Sequence, residues 1–407
     1  MNTKTAIRFG IGVPIFAALS ALIISGGLAD HFSKTDPVRS LYWRSNHPDA
    51  LLAAGSERNS ENDPTRTKSY LTRAIEANPL DGRGYGGLAI LQQKENDAAS
   101  RSLMKQAALR SPRNLLIRYW LMQYAIADGN YDDLMTQVDV MLRINPALAD
   151  GFVPALEMML QDPKGEAALA RVFTRAPAWR ESVWIQICKR TKVTVAAAAT
   201  LVNDIARGGN PLSRLESMAW VERLIAAREW PAAYAAWSAT LPSGDVAPVN
   251  NVYDGKFQRP PQNVGFGWRI FHVDGASAEQ RTEADIPYLH LAFEDRRVPF
   301  GDVSQLLALQ PGEYLLSGRV RGGLRSERGL QWTVTCANES RNKVGESERL
   351  TGAFPWRDFK FSLVVPPEGC GAQWLLLQIA ARIPAERQIG GEMDFTDLRV
   401  EPVQTPK

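Results

Sequence analysis

At 407 residues the chain is long enough for two or three domains, and its 45% apolar and 22% charged residues are ordinary for a globular protein. A formal charge of +3 is too small for an electrostatic nucleic-acid footprint, so no nucleic-acid partner is expected. Four histidines, His31, His47, His272 and His290, restrict acid/base, metal and triad chemistry from the outset.

No charged residue occurs from Ile11 to Ala29, nineteen positions against the roughly 20 that cross a bilayer as a helix. Lys4 and Arg8 precede the run and Asp30 follows it. Residues 1–30 are therefore expected to be a cytoplasmic N-terminus and a single-pass bacterial inner-membrane anchor, with the bulk of the chain in the periplasm. A cleaved signal peptide is the competing expectation, since Gly27-Leu28-Ala29 supplies small residues at a cleavage site. The apolar run exceeds a signal core of ~7–15 residues, which favours the uncleaved anchor.

Beyond a polar linker the chain reads as helical, from about 40 to 242. Pro79, Pro112 and Pro146 each close an apolar helical pattern and stand 33 and 34 residues apart. Tyr85, Leu88 and Ala89, then Ser100, Met104 and Ala107, precede Pro112. Leu121, Gly129, Tyr131 and Val138 take equivalent places before Pro146. The period and these positions resemble the tetratricopeptide family over about 100 residues. That resemblance implies stacked helical hairpins, each covering an apolar face its neighbour cannot bury alone, and a concave surface for a protein partner. After Pro146 the pattern decays, and a last helix pair over Trp220–Pro242 is expected to act as a polar-faced cap. Gly82-Arg83-Gly84-Tyr85-Gly86-Gly87 satisfies G-x-G-x-x-G, but a helix precedes it and no strand is near. It reads as a close-packed helix start.

At 243–250 the texture changes to a Pro/Gly linker, and 251–402 reads as an antiparallel β-sandwich. Expected strands are Trp268–Val273, Pro287–Phe293, Tyr314–Val320, Leu330–Cys336, Phe359–Val365, Trp374–Ala381 and Glu392–Val400. Leu330, Trp332, Val334 and Cys336 alternate with polar residues, placing one face in the core. Cys336 and Cys370 are expected to form a disulfide, and Cys188 a buried free thiol.

Three stretches, Asp254-Gly255-Lys256-Phe257, Gly265-Phe266-Gly267-Trp268 and Met393-Asp394-Phe395-Thr396-Asp397-Leu398, resemble those of jelly-roll carbohydrate-binding modules. The resemblance implies a structural calcium ion near the two ends of the domain, for which Asp254 and Asp397 are the candidates. Gln258 replaces the acidic residue expected after the first turn. No other cofactor is expected. Sugar contacts would need aromatic rings flanked by polar groups. Trp356 with Arg357, and Trp268 with Arg269, are the candidates, while Trp332 and Trp374 read as core. Arg319, Arg321, Arg325 and Arg328 surround Gly322-Gly323 as a solvated basic hairpin tip, and His290 reads as a structural histidine. No paired carboxylates, zinc spacing, nucleophile elbow or phosphate loop occurs, so no catalytic residue is assigned and no enzyme is expected.

The fold class expected is an α-solenoid followed by a β-sandwich, behind an N-terminal membrane helix. The function expected is a non-enzymatic periplasmic scaffold that binds a protein partner in envelope-polysaccharide assembly or export. The alternative is a glycan-binding protein that uses the sandwich.

Overall fold

The computed structural model describes residues 3–56, 63–93, 95–190, 193–243, 245, 248, 250–338 and 341–403, with side chains from residue 16 onward. Packing divides the chain into two units, Met1–Arg180 and Glu181–Lys407.

The first unit is helical. After α1 (Thr3–Phe32) and α2 (Pro37–Trp43) come four hairpins. They are α3 (Pro48–Ala54) with α4 (Pro64–Ala77), α5 (Gly82–Gln92) with α6 (Asp97–Arg110), α7 (Leu115–Ala127) with α8 (Tyr131–Ile144), and α9 (Ala149–Met159) with α10 (Pro163–Phe173). The regular prolines follow the ends of α4, α6 and α8, where a missing N–H and a fixed φ prevent another turn. The opposite ends carry side-chain caps: Asp81, Asn96, Asn114 and Asn130 each accept a backbone amide two or three residues ahead. Ala89, Met104, Ala107 and Ile117 form the seam between successive hairpins. Ser100 Oγ lies 2.7 Å from the Ala89 carbonyl and 2.8 Å from the Tyr124 hydroxyl, tying three helices together. A Cβ on Gly82 would lie 2.2 Å from the Ala107 carbonyl oxygen, so the glycine-rich start of α5 serves close packing.

The membrane expectation is corrected. Among the described residues no helix is long and apolar enough to cross a membrane. The end of the 11–29 run packs against protein instead. Ala29 is fully buried, its carbonyl accepts Ser40 Oγ of α2 at 2.7 Å, and His47 Nε2 lies 2.7 Å from Asp30 Oδ1. The expected single-pass anchor, and the inner-membrane and periplasmic location built on it, are withdrawn on that ground.

The second unit contains α11 (Arg180–Lys189), α12 (Val195–Arg207), α13 (Arg214–Ala226) and α14 (Trp230–Ser238), together with the whole sandwich. The last helix pair is not a polar cap. Trp237 of α14 is fully buried, with the rings of Tyr253 and Phe266 at 5.1 and 5.6 Å. Gly265, at φ +61°, lets the chain pass this indole: a Cβ there would sit 2.3 Å from Trp237 Cδ1. Apolar surface on α14 thus continues into the start of the sandwich rather than ending in solvent.

Ten strands follow. They are β1 (Trp268–Ile270), β2 (Ala276–Glu283), β3 (Ile286–Arg297), β4 (Val303–Leu307), β5 (Gly312–Ser326), β6 (Leu330–Cys336), β7 (Lys343–Glu346), β8 (Gly352–Val365), β9 (Gln373–Ile379) and β10 (Gln388–Pro402). Their order is β1-β4-β9-β6-β7-β8-β5-β10-β3-β2, antiparallel at each pairing. The chain of pairings narrows to Gly345–Leu363 between β7 and β8, where one half of the sheet folds over the other. Leu289, Leu316, Trp332, Phe359, Leu375 and Phe395 fill the space between the halves. Cys336 and Cys370 are disulfide-bonded, and Cys188 is free and buried.

Strands β2, β4 and β7 escape the sequence reading. β2 is almost uniformly polar, and β4 and β7 are short. The Gly322-Gly323 hairpin tip is corrected: these residues lie inside the continuous strand β5.

Candidate functional site

Strand parity determines the site. On β5, Tyr314, Leu316 and Val320 point into the core, so Arg319 and Arg321 point outward. On β3, Leu289, Leu291 and Phe293 point inward, so Tyr288 and His290 share the outer face. Register then aligns a row across four strands: Glu279 of β2 opposite His290 of β3, His290 opposite Asp394 of β10, and Asp394 opposite Arg321 of β5. A polar row in the middle of a sheet face is satisfied internally. His290 Nδ1 lies 2.7 Å from Asp394 Oδ1, and Arg321 Nε donates to Asp394 Oδ2 at 2.7 Å. Arg321 also pairs with Glu283 at 2.5 Å. Partial burial alone would pull the Arg321 guanidinium down, but the bonds to Asp394 and Glu283 outweigh it and hold it above its ordinary value.

One aromatic ring is placed by a bulge. Val320 pairs with Arg357 and Gly322 with Phe354, so β8 spends one residue more than β5 over this step. The extra residue falls at Pro355-Trp356. A bulge re-aims side chains and tolerates a proline that a regular ladder would not. Trp356 ends half-buried, with its ring centroid 6.0 Å from that of Tyr288, edge to face. The Arg321 guanidinium lies 4.8 Å from the Trp356 ring centre and 5.1 Å from that of Tyr288. Arg319 approaches Trp356 at 5.4 Å, and its charge contact among the described residues is Asp397 at 3.9 Å. A Tyr288–Arg321–Trp356–Arg319 series therefore crosses three strands, anchored at Arg321 and loosely held at Arg319.

The other candidates lie elsewhere. Trp268 is 2% exposed, 4.7 Å from Phe257 between ring centres, and donates Nε1–H to the Asp254 carbonyl. It is core: Trp268, at the start of the short first strand, turns inward, as does Phe266 in the turn before it. Arg269 pairs with Glu222 at 2.7 Å and covers the face of Trp374, so it holds the helices to the sandwich instead of facing a ligand. Trp374, expected in the core, is half-buried, since Gln373 and Leu375 take the inward positions. Arg357 follows Trp356 in sequence but bonds Glu348 at 2.6 Å and lies over Phe354, outside the aromatic series. Arg325 and Arg328 are 3.5 Å or less from Asp295 and Glu386, so the four arginines do not form one cluster.

The residues proposed for calcium do not fit the ion. Both carboxylate oxygens of Asp254 accept backbone amides, from Gln258 and Arg259 at 2.9 Å each. Burial pushes the Asp254 carboxyl up, against those two amides. Asp397 stands 4.0 Å from Lys256 Nζ and 3.9 Å from Arg319, two cations that repel a third. Among the described residues no group of three or more His, Cys, Asp or Glu side chains is arranged to hold a metal.

The residues missed by the sequence are Tyr288, Asp394 and Glu283. Tyr288 and Asp394 stand in phase with their strands as ordinary alternating positions, and only the β3–β10–β5 register brings them beside Arg321.

No protein-family model matches the chain, and no curated protein matches it. Among solved structures, one described as "CBM4 structure and function" matches at 12% identity and TM-score 0.29, over 37% of this chain and 99% of that one. A carbohydrate-binding module from Cellvibrio mixtus lichenase 5A in complex with cellotriose matches at 14% and 0.22, over 33% and 93%. The Pseudomonas aeruginosa PilF structure matches at 15% and 0.26, over 46% and 88%. Three larger enzymes, a bacteriophage CBA120 tailspike, a Clostridium thermocellum xylanase and an arabinofuranosidase, are spanned over 22%, 29% and 28% of their lengths.

Proposed function

We propose that the protein is a non-catalytic binding protein whose sandwich recognises a polysaccharide on the outer face of the β2-β3-β10-β5-β8 half-sheet. The observation that carries this reading is Trp356 on that face beside Tyr288, with Arg321 fixed between the two rings. Sugars offer C–H faces to aromatic rings and hydroxyls to charged, fixed side chains, and this patch supplies both. Arg321 is held by two carboxylates and needs no reorganisation on binding, whereas Arg319 is loosely held and able to turn toward a hydroxyl or carboxylate. The Thr396 hydroxyl donates to the Pro287 carbonyl at 2.7 Å.

The test is affinity electrophoresis of the full-length protein in gels containing neutral or acidic polysaccharides. Retardation by at least one polymer, lost in Trp356→Ala with an unchanged circular dichroism spectrum, is the expected result. Retardation by none of them, or retardation that Trp356→Ala and Tyr288→Ala leave intact, overturns the reading.

A second reading, a protein partner on the hairpins of the first unit, is favoured by one observation. Leu116, Tyr119 and Ile126 lie on one side of α7 and are 56%, 45% and 53% exposed. Co-purification through these hairpins that Tyr119→Glu abolishes would support it, and co-purification indifferent to that change would not.

A further inference from the structure

Within the second unit, α11 and α13 leave a groove of about 480 Å³ between them. Its long wall is α13. Leu215, Met218, Ala219 and Ala226 line it at i, i+3, i+4 and i+11, the single stripe that one helix presents to another. From Leu215 to Ala226 the stripe runs eleven residues, on the order of 16 Å of helix. Ile185 and Cys188 of α11 form the facing wall, and Val264, from the loop before β1, closes the floor. The apolar stripe is not buried: Leu215 is 55% exposed.

Charge at the edges is one-sided. Glu222, the acidic residue in the lining, accepts the Gly265 amide at 2.8 Å and pairs with Arg269 at 2.7 Å, both through Oε1, so its charge is balanced by Arg269. Lys189 is exposed and has no carboxylate partner among the described residues. Arg223 spends one N–H on the Val193 carbonyl at 2.7 Å and likewise has no carboxylate partner among the described residues. An apolar channel flanked by two cations without carboxylate partners among the described residues is complementary to an amphipathic helix with acidic flanks.

We propose that the α11–α13 groove docks a segment of a protein partner: a helix of about three turns, apolar on one side, with Glu or Asp bordering the apolar stripe. The site is separate from the half-sheet carrying Trp356, and it stands or falls independently of polysaccharide binding. Because Val264 belongs to the sandwich, a docked segment touches both the helices and the sandwich of this unit.

The probe is a fluorescein-labelled, helix-favouring synthetic peptide with Leu at i, i+3, i+4, i+7 and i+11 and Glu on both flanks. It is compared with a peptide in which each Glu is Lys. Fluorescence anisotropy with the full-length protein should show the Glu peptide binding at least tenfold tighter. Met218→Glu should abolish binding, and Lys189→Glu with Arg223→Glu should reverse the preference toward the Lys peptide, at unchanged melting temperature. Equal affinity for the two peptides, no binding of either, or a preference that survives the charge reversal overturns the proposal. So does binding unaffected by Met218→Glu when Leu215→Glu also leaves it unaffected.

Discussion

The hairpins of the first unit and the sandwich of the second bury their cores by opposite means. The hairpin seam sets small or flexible side chains, Ala89, Met104 and Ala107, beside Ile117 and Tyr124, and relies on backbones approaching closely, as at Gly82. The sandwich and its helical neighbour are filled by rings, with Trp237, Trp268, Trp332 and Phe395 all fully or almost fully buried. Close backbone approach works between elements adjacent in sequence, where caps and prolines fix the geometry locally. Distant strands meet with larger gaps between sheets about 10 Å apart, and rings fill them. Damage should therefore follow different rules in the two places: loss of volume in the second unit, gain of volume in the first.

The sharpest break is Trp237→Ala. Removing a fully buried indole at the joint between α14 and the sandwich should cost about 3–5 kcal/mol, read from urea unfolding of the second unit. A cost under about 1 kcal/mol would mean the ring fills nothing essential. Next is the staple. Replacing Cys336 and Cys370 by Ala opens a loop of 34 residues and should cost on the order of 3–4 kcal/mol. The hairpins, having no such link among the described residues, should keep their unfolding midpoint under reductant. If reductant lowers both transitions equally, the two units do not differ in this way.

The reverse rule is tested at Gly82. Gly82→Ala puts a methyl group 2.2 Å from the Ala107 carbonyl oxygen and should cost about 1–3 kcal/mol. Gly323→Ala, with open space around its Cβ, should change stability by less than about 0.5 kcal/mol. Equal penalties would show that the close approach at Gly82 is not tight. Smaller still is the cap at the same helix start. Burial opposes the shift at Asp81, but its bonds to the Arg83 amide and guanidinium hold the carboxyl below its ordinary 3.8. A depressed folded-state value contributes stability that is complete above pH 3.8 and is lost as pH falls through the folded value. Wild type should thus be more stable than Asp81→Ala at pH 7, and the gap should close as the pH drops below 3.8. A gap that stays constant down to pH 2 would remove the carboxylate from the explanation. The least perturbing test is Cys188, whose thiol burial pushes up to about 12. It should resist a thiol reagent at pH 8 in the native protein and react on unfolding.

The same contrast explains what could be read in advance. Pro79, Pro112 and Pro146 betray the hairpins because each stops a helix through its own ring and its lack of an N–H, with no need of distant partners. The disulfide was legible because two of three cysteines fall in one β-rich stretch. The aromatic series was not. Trp356 was picked out, yet its neighbours Tyr288 and Arg321 come from strands dozens of residues away, and their meeting depends on one bulge and two registers. Trp268 was misread because nothing local separates an inward from an outward ring in a three-residue strand. The membrane reading failed for a related reason. Among the described residues no helix is long and apolar enough to cross a membrane, and the end of the run, Ala29, is covered by α2 although Phe16, Leu22 and Ile23 are exposed.

The joint at Trp237 also dictates where the chain can be divided. The change of composition near residue 243 invites a cut there, but that cut would strip Tyr253, Phe266 and Gly371 of the indoles that shield them. A fragment starting at 245 would expose a greasy scar and tend to clump, whereas one starting at Glu181 would carry its own cover. A protease should accordingly release a lasting piece that keeps α13 and α14 attached, not a bare sandwich.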